Sequence, residues 1–181
     1  MPLICAYKNI LPKIHDSVFV AENAVIIGDV EIGAESSIWY GCTLRGDVNN
    51  IRIGQRTNIQ DHTLIHVSST GQGTYIGDDV TVGHAAVLHA CTIGNLAFIG
   101  MQACIMDDAI VEDGAMVAAG ALVTPGKRIL SGQLWGGSPA RLMRDLTVAE
   151  RDFLPFSAGR YVSAAKAYIC RKGLYIRTHS S

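Results

Sequence analysis

The chain has 181 residues, of which 49% are hydrophobic and 17% are charged, and its 15 Lys and Arg nearly balance 16 Asp and Glu. This composition favours a folded chain, and a net charge of −1 argues against a broadly cationic surface for nucleic acid or an anionic membrane. No apolar run approaches the roughly 20 residues that cross a bilayer, the N-terminus lacks a secretion signal, and the five cysteines include no CxxC pair, so we expect a cytoplasmic protein with reduced thiols.

A six-residue period organises the chain from Val20 to Ile129, interrupted by two insertions and one deletion. The repeat positions are Val20, Ile26, Ile32, Ile38 and Leu44, then Ile53, Ile59 and Ile65, then Ile76, Val82 and Leu88, and finally Ile93, Ile99, Ile105, Val111, Val117, Val123 and Ile129. All are Val, Ile or Leu, which chance does not produce. Such a period predicts a short strand and a turn per repeat, with three repeats closing a coil and successive coils stacking about 4.8 Å apart.

The period ends after Ile129, and we expect a different structure from there on. Residues 134–140 indicate a linker, and residues 147–150 form a capping-box pattern that opens a short helix interrupted by Pro155. A second helix, carrying Tyr161 and Val162 on its apolar face, is expected to pack along the solenoid. We therefore divide the chain into a hexapeptide-repeat domain, residues 1–135, and a linker with a helical cap, residues 136–181.

The two insertions fall at residues 45–50 and 66–75, which are three and five residues longer than one repeat. Insertions in solenoids form loops on one face, and such loops often bind ligands. The polar residues of the chain gather around them. This region is therefore the first place to look for a functional site.

Three histidines lie close to the insertions. His66 and His89 each directly follow a repeat aliphatic, and their separation of 23 residues equals one 18-residue coil plus the five-residue insertion. We therefore expect them to stack on adjacent coils, with both side chains outward. His84 lies near another edge of the coil, and could reach the same point only from a neighbouring copy around a threefold axis. Three converging histidines with a fourth position open are the arrangement of a catalytic zinc site.

Other polar residues surround these histidines, namely Arg45, Asp47, Asn58, Gln60 and Asp61. Arg45 and Asp47 could form an ion pair across a subunit contact, or a purely structural pair. Gln60 occupies the slot one hexapeptide before His66, and could orient a water at the metal.

Four segments of the chain resemble the γ-class carbonic anhydrase-like proteins, including the bacterial ferripyochelin-binding protein branch. The segments are Leu44-Arg45-Gly46-Asp47, Thr57-Asn58-Ile59-Gln60-Asp61 followed by His66, Gly83-His84, and His89-Ala90-Cys91-Thr92-Ile93-Gly94. The resemblance extends from about Asp16 to Tyr168. It implies an all-β fold, a left-handed parallel β-helix with a C-terminal α-helix, assembled as a homotrimer with one metal ion at each subunit interface.

The resemblance also implies a role for each site residue. His66 and His89 of one subunit and His84 of its neighbour would bind the metal, while Arg45, Asp47, Asn58 and Asp61 would have interface or structural roles. Gln60 would hold the metal-bound solvent, and Tyr161 matches a tyrosine near the site. The implied activity is that of a lyase: reversible hydration of CO2 to bicarbonate by a zinc-bound hydroxide. The cofactor is Zn²⁺, with Fe²⁺ or Co²⁺ as alternatives, because imidazole accepts all three.

The chain departs from the archaeal members of this family at two places. Those proteins carry a glutamate directly after the Arg-Gly-Asp segment, where this chain has Val48, and an acidic loop beside the first histidine, where residues 67–75 contain no carboxylate. The missing glutamates are associated with moving protons to bulk water. We therefore expect proton export to limit any hydration activity.

Two other classes of function fit a hexapeptide-repeat trimer. One is acyl-CoA chemistry, either by an acyltransferase, which usually employs a single histidine as a general base, or by a metal-dependent thioesterase. The other is a non-catalytic binding protein whose metal ion only stabilises the trimer. Metal content and CO2 hydration distinguish these classes.

Overall fold

The structure is a computed structural model that describes residues 1–171, with twenty short strands followed by one helix. In chain order these are β1 (Leu3–Cys5), β2 (Lys13–Ile14), β3 (Phe19–Val20), β4 (Val25–Ile32), β5 (Ser37–Ile38), β6 (Thr43–Ile53), β7 (Asn58–Ile59), β8 (Leu64–His66), β9 (Thr74–Ile76), β10 (Thr81–Val82), β11 (Val87–His89), β12 (Thr92–Ile93), β13 (Phe98–Ile99), β14 (Cys104–Ile105), β15 (Ile110–Val111), β16 (Met116–Val117), β17 (Leu122–Val123), β18 (Arg128–Ile129), β19 (Gln133–Gly137), β20 (Ala140–Asp145) and α1 (Val148–Arg171). No helix in this part of the chain is long and apolar enough to span a membrane.

The strands form a parallel β-helix, as the six-residue period predicts. Each short strand pairs in parallel with the strand one coil further along, so that Ile59 lies beside Val82 and Val82 beside Ile99. An eight-stranded sheet runs in the order β20-β19-β16-β13-β10-β7-β5-β3. A twelve-stranded sheet supplies the remaining walls, because the long strands β4 and β6 belong to two of them. All pairs are parallel except β19 with β20.

The core is a continuous column along the axis of the β-helix. The repeat aliphatics point inward, and Ile26, Ile59 and Leu88 are fully buried. A buried alanine often precedes the aliphatic by two residues, as Ala86 precedes Leu88, and fills the narrow corner of the coil. The outward positions are therefore free to carry other functions.

The C-terminal region forms one helix, so the expectation of two helices is wrong. α1 runs through Pro155 without a break. Proline removes one helical hydrogen bond, but Leu154, Ala158, Val162 and Ala165 are all buried along one face of α1. We attribute the continuity to this face, since packing on both sides of Pro155 holds the helix in line.

The expected linker is also different, because most of residues 134–140 belong to strands. β19 adds to the eight-stranded sheet beside β16, and β20 returns antiparallel to it. Burial of Leu134 in the cluster with Leu146 and Leu154 explains this hairpin. The domain boundary after residue 135 falls inside β19 and stays a prediction.

The start of α1 has the reciprocal capping box that the sequence predicts. The Thr147 N–H donates to Glu150 Oε2 at 2.9 Å, and the Glu150 N–H donates to Thr147 Oγ1 at 3.2 Å. Hydrogen bonds from Arg144, together with those from Thr147, lower the pKa of Glu150 to about 2. A carboxylate at this position also complements the positive end of the helix dipole.

Glu150→Gln should therefore destabilise the protein in a pH-dependent way. Because the folded-state pKa is depressed, the stabilisation is present above the ordinary value of 4.5 and is lost as the pH falls towards about 2. We expect a lower Tm for Glu150→Gln at pH 6 and a difference from wild type that shrinks below pH 4.5. Thermal melts followed by circular dichroism measure it, with the exposed Glu22→Gln as control. A difference that stays constant down to pH 3 would contradict this account.

Candidate metal centre

Two of the predicted ligands lie side by side on neighbouring strands. His66 ends β8, His89 ends β11, and the parallel register places them directly opposite each other. Their ring centroids are 5.2 Å apart, and both side chains are partly buried. The structure thus brings these two imidazoles together on one wall of the β-helix, as their separation of one coil plus the second insertion predicts.

His84 lies elsewhere on the same chain. It follows β10 of the eight-stranded sheet, whereas the other two histidines belong to the twelve-stranded sheet. Within residues 1–171 of a single copy, no three His, Cys, Asp or Glu side chains converge on a point that could hold a metal ion. One chain therefore places two of the three predicted ligands, His66 and His89, side by side, and holds the third, His84, on the other sheet.

Each of the three imidazoles contacts a carboxylate. The contacts are His66 Nε2 to Asp47 Oδ1 at 3.1 Å, His84 Nδ1 to Asp61 Oδ2 at 2.9 Å, and His89 Nδ1 to Asp107 Oδ2 at 3.0 Å. Carboxylates in this position fix the tautomer and orientation of histidines that bind metals. Because these contacts use Nδ1 of His84 and of His89, Nε2 of each of the two rings is available to bind a metal ion.

Asp107 is the residue that sequence reasoning missed. It lies in a regular part of the repeat, with no insertion or motif to mark it. Its sequence separation from His89 is 18 residues, which is one coil. Counting one coil forward from each candidate ligand would have found it.

Asp47 is the most connected of the three carboxylates. Its Oδ2 accepts a hydrogen bond from Arg45 Nη1, and its Oδ1 accepts one from the Val48 N–H at 2.8 Å. Partial burial opposes ionisation, but hydrogen bonds from His66 and Arg45 outweigh it and hold the pKa of Asp47 below its ordinary value. The pair between Arg45 and Asp47 forms within one chain, and a role between subunits stays a prediction.

Gln60 and Asn58 form a buried amide pair. Gln60 Nε2 donates to Asn58 Oδ1 at 3.0 Å, while Asn58 Nδ2 donates to Thr81 Oγ1 at 3.0 Å and to the Val80 carbonyl at 3.2 Å. This chain of bonds fixes the Gln60 amide. Its Oε1 has no hydrogen-bond donor within the described part of the chain, and is a free acceptor.

Tyr161 reaches the same region from α1. Its ring stands edge-on to Trp39 at 5.5 Å, and burial, with the charge of Asp61 adding to it, raises the pKa of its phenol. Tyr161, Gln60 and His84 line one cavity of about 670 Å³. The structure therefore gathers the predicted site residues into two groups, one around His66 and His89 and the other around His84.

The donor set fits a transition-metal ion. Imidazole nitrogens suit Zn²⁺, Fe²⁺ and Co²⁺, and two imidazoles on neighbouring strands can bind the same ion. His66 and His89 meet this requirement from one chain. The neighbouring carboxylates add the negative charge that a cation needs close by.

Comparison with known proteins places the chain in a family. Residues 12–46 match the bacterial transferase hexapeptide (six repeats) family. "Gamma carbonic anhydrase 2, mitochondrial" of Arabidopsis thaliana is 53% identical over 162 residues, which are 87% of this chain and 58% of the plant protein. "Probable carbonic anhydrase" of Methanocaldococcus jannaschii is 50% identical over 153 residues, 84% of this chain and 96% of that protein.

A solved structure agrees over nearly the whole chain. A hexapeptide transferase family protein from Anaplasma phagocytophilum is 47% identical, with a TM-score of 0.89 over 92% of this chain and 98% of that one. The chain spans about three-fifths of the plant relative's length and almost all of the archaeal one. The fold, the identity and the coverage together show that the chain belongs to the γ carbonic anhydrase family.

Proposed function

We propose that this protein catalyses the reversible hydration of CO2 to bicarbonate at a metal ion shared between two copies of the chain. The observation that carries the proposal is the pair His66 and His89, held 5.2 Å apart with carboxylate partners on a fold of the γ carbonic anhydrase family. The third ligand is His84 of a neighbouring subunit in a homotrimer. Zn²⁺ is the proposed ion, with Fe²⁺ and Co²⁺ as alternatives. The cytoplasmic location stays a prediction.

The residues of the chain have distinct tasks in this proposal. Zinc in a three-histidine site supplies Lewis-acid chemistry and lowers the pKa of water to about 7, a value established for carbonic anhydrases as a class. Asp61 and Asp107 hold the rings of His84 and His89 in position. Gln60 Oε1, the free acceptor, orients the attacking water, and Tyr161 lines the same cavity from α1.

Acyl-CoA chemistry is the weaker alternative. It is supported by the transferase names of the matched repeat family and of the Anaplasma protein. An acyltransferase needs one histidine as a general base, whereas this chain pairs three histidines with three carboxylates. That arrangement favours a metal centre. Stopped-flow CO2 hydration by the metal-loaded protein tests the proposal directly, and inactivity would favour the thioesterase or the non-catalytic binding protein.

A shared site predicts that defective subunits complement each other. His84→Ala and His89→Ala homotrimers should each lose the metal, because every site lacks one ligand. Co-expression of the two variants should restore about one quarter of the wild-type metal content, since a random trimer pairs an intact His89 with an intact His84 that often. Elemental analysis measures the metal, and light scattering should give three times 19.4 kDa.

The matched control is co-expression of His66→Ala with His89→Ala. These two ligands come from the same subunit, so mixing the variants should restore no site. Equal recovery in both mixtures would show that the three histidines are not divided between subunits in this way. A monomer that binds one metal ion with full affinity would rule out the shared site.

Asp107→Asn should weaken metal binding. Loss of the carboxylate partner of a metal-binding histidine typically costs 10- to 100-fold in affinity, so we expect a shift of that size in chelator competition. Asp108→Asn is the matched control, because Asp108 is exposed and its positive φ of 57° suits asparagine. Similar affinities for the two variants would show that the contact between Asp107 and His89 has no role in binding.

Turnover should depend on buffer concentration. Val48 is exposed beside Asp47, and residues 67–75 carry no carboxylate that could pass protons to bulk water. We therefore expect kcat to rise with imidazole concentration while kcat/KM, which reports the attack on CO2, stays nearly constant. Val48→Glu should raise kcat at low buffer and reduce this dependence, and Val48→Gln is the uncharged control. A low kcat that ignores buffer would mean that proton export does not limit turnover.

A further inference from the structure

A short polar stretch interrupts the apolar contact between α1 and the eight-stranded sheet. On this sheet, the residue directly before each inward aliphatic lies beneath α1, and Phe19 and Phe98 there pack against aromatic residues of the helix. Between them the same position carries polar residues, among them Asn58 and Thr81, which are 1% and 2% exposed. Because burial of a polar group costs more than burial of an apolar one of similar size, packing alone does not account for these residues.

The polar residues form one chain of hydrogen bonds that runs from α1 to Gln60. The hydroxyl oxygens of Ser157 on α1 and Thr81 on β10 are 3.0 Å apart, and Thr81 Oγ1 accepts from Asn58 Nδ2 at 3.0 Å. Asn58 Oδ1 in turn accepts from Gln60 Nε2 at 3.0 Å. All four residues are at most 5% exposed, so bulk water does not compete for these bonds.

The Val80 carbonyl gives this chain of bonds its direction. A backbone carbonyl only accepts, so the Asn58 amide turns its Nδ2 towards Val80, at 3.2 Å, and its Oδ1 towards Gln60. Gln60 therefore donates through Nε2, and Oε1 is the free end of its amide. At the other end of the chain, Thr81 accepts from Asn58 and directs its own proton to Ser157 Oγ. Ser157 thus keeps the Thr81 hydroxyl in the role of an acceptor for Asn58.

Reversal of the Asn58 amide would reverse the Gln60 amide as well. Asn58 would then turn its Nδ2 towards Gln60, which would accept through Oε1 and present its NH2 group as the free end. The reversed Asn58 Oδ1 would need a donor at Thr81. A hydroxyl carries one proton, so a Thr81 hydroxyl that donates to Ser157 does not also donate to Asn58. Thr81 and Ser157 therefore oppose the reversal, in addition to the Val80 carbonyl.

We infer that Thr81 and Ser157 are positioning residues that fix which end of the Gln60 amide faces the attacking water. The inference deepens the proposed function and rests on it, because the water is that of CO2 hydration. An amide oxygen accepts a hydrogen bond from the water and leaves a lone pair of the water free to attack, whereas an NH2 group would donate to that lone pair. The helix α1, which carries Ser157, thus contributes to the site through a buried contact.

Side-chain amide exchange in the chelator-treated protein tests the orientation of Gln60 without the metal. In protein labelled with ¹⁵N-glutamine, the Gln60 resonances are those that Gln60→Glu removes. One of the two N–H groups should exchange slowly, because it is buried and bonded to Asn58. Thr81→Val, which keeps the shape but lacks the hydroxyl, and Ser157→Ala should each raise that exchange rate about tenfold. Thr81→Ser should restore slow exchange, and Ser163→Ala, at a serine bonded only within α1, is the matched control.

The pH profile of kcat/KM tests the consequence in the metal-loaded protein. A reversed amide donates to the attacking water, which favours the deprotonated form of the water but occupies the lone pair that attacks. In Thr81→Val the midpoint of the profile should therefore move to lower pH while the plateau falls about tenfold, and Thr81→Ser should restore both. Metal content should stay unchanged, because neither Thr81 nor Ser157 is a ligand. A purely structural role would lower the plateau without moving the midpoint.

The two measurements separate this inference from the proposed function. Exchange that accelerates only in the hydroxyl variants supports the orientation of Gln60 even in a protein that hydrates no CO2, where the proposed function alone would fail. Exchange that ignores both variants, or a midpoint that stays fixed while the plateau falls, would overturn the inference. Circular dichroism verifies folding, and the smaller change Ser157→Ala provides the same test if Thr81→Val does not fold.

Discussion

The stacking of one coil on the next is the constraint on which the rest of the molecule depends. Parallel hydrogen bonding between coils fixes the register, and the inward aliphatics bury the axis, so a residue lies directly against its counterpart one coil away. Polar residues in equivalent slots then meet in pairs. Asn95 with Asp113 and His89 with Asp107 are each separated by 18 residues. The sequence separation of two side chains thus decides whether they touch.

The candidate centre forms where this regularity is broken. Asn49, in the first insertion, donates to the carbonyls of Ser68 at 3.2 Å and Gly71 at 3.0 Å in the second. Thr74 at the end of the second insertion donates to the carbonyl of His66 at 2.6 Å. The two loops therefore brace each other and the histidine backbone. The stacking of coils sets the distance between the His66 and His89 rings. The first insertion supplies the Asp47 carboxylate, and both insertions form the walls around the histidines.

The six-residue period was sufficient to predict the β-helix and the adjacency of His66 and His89, because both follow from arithmetic on a rigid register. Prediction was less successful where tertiary contacts determine the secondary structure. Pro155 indicates a break in a helix, but burial on both sides of it keeps α1 continuous. Residues 134–140 resemble a linker by composition, yet the open end of a sheet recruits them as strands. His84 lies on the eight-stranded sheet, away from His66 and His89, and its convergence with them across a subunit contact stays a prediction.

The residues that directly follow the inward aliphatics of the eight-stranded sheet show how such a scaffold separates folding from function. The inward position of each coil must be aliphatic, and it is buried from one end of the solenoid to the other. The position that follows it carries no such requirement. Trp39 there supports the helix, Gln60 supplies a polar atom, and Gly83 and Gly100 leave space. Substitution at this position can therefore change the outer surface without disturbing the core, because the register that places each residue is set by the other face of the strand.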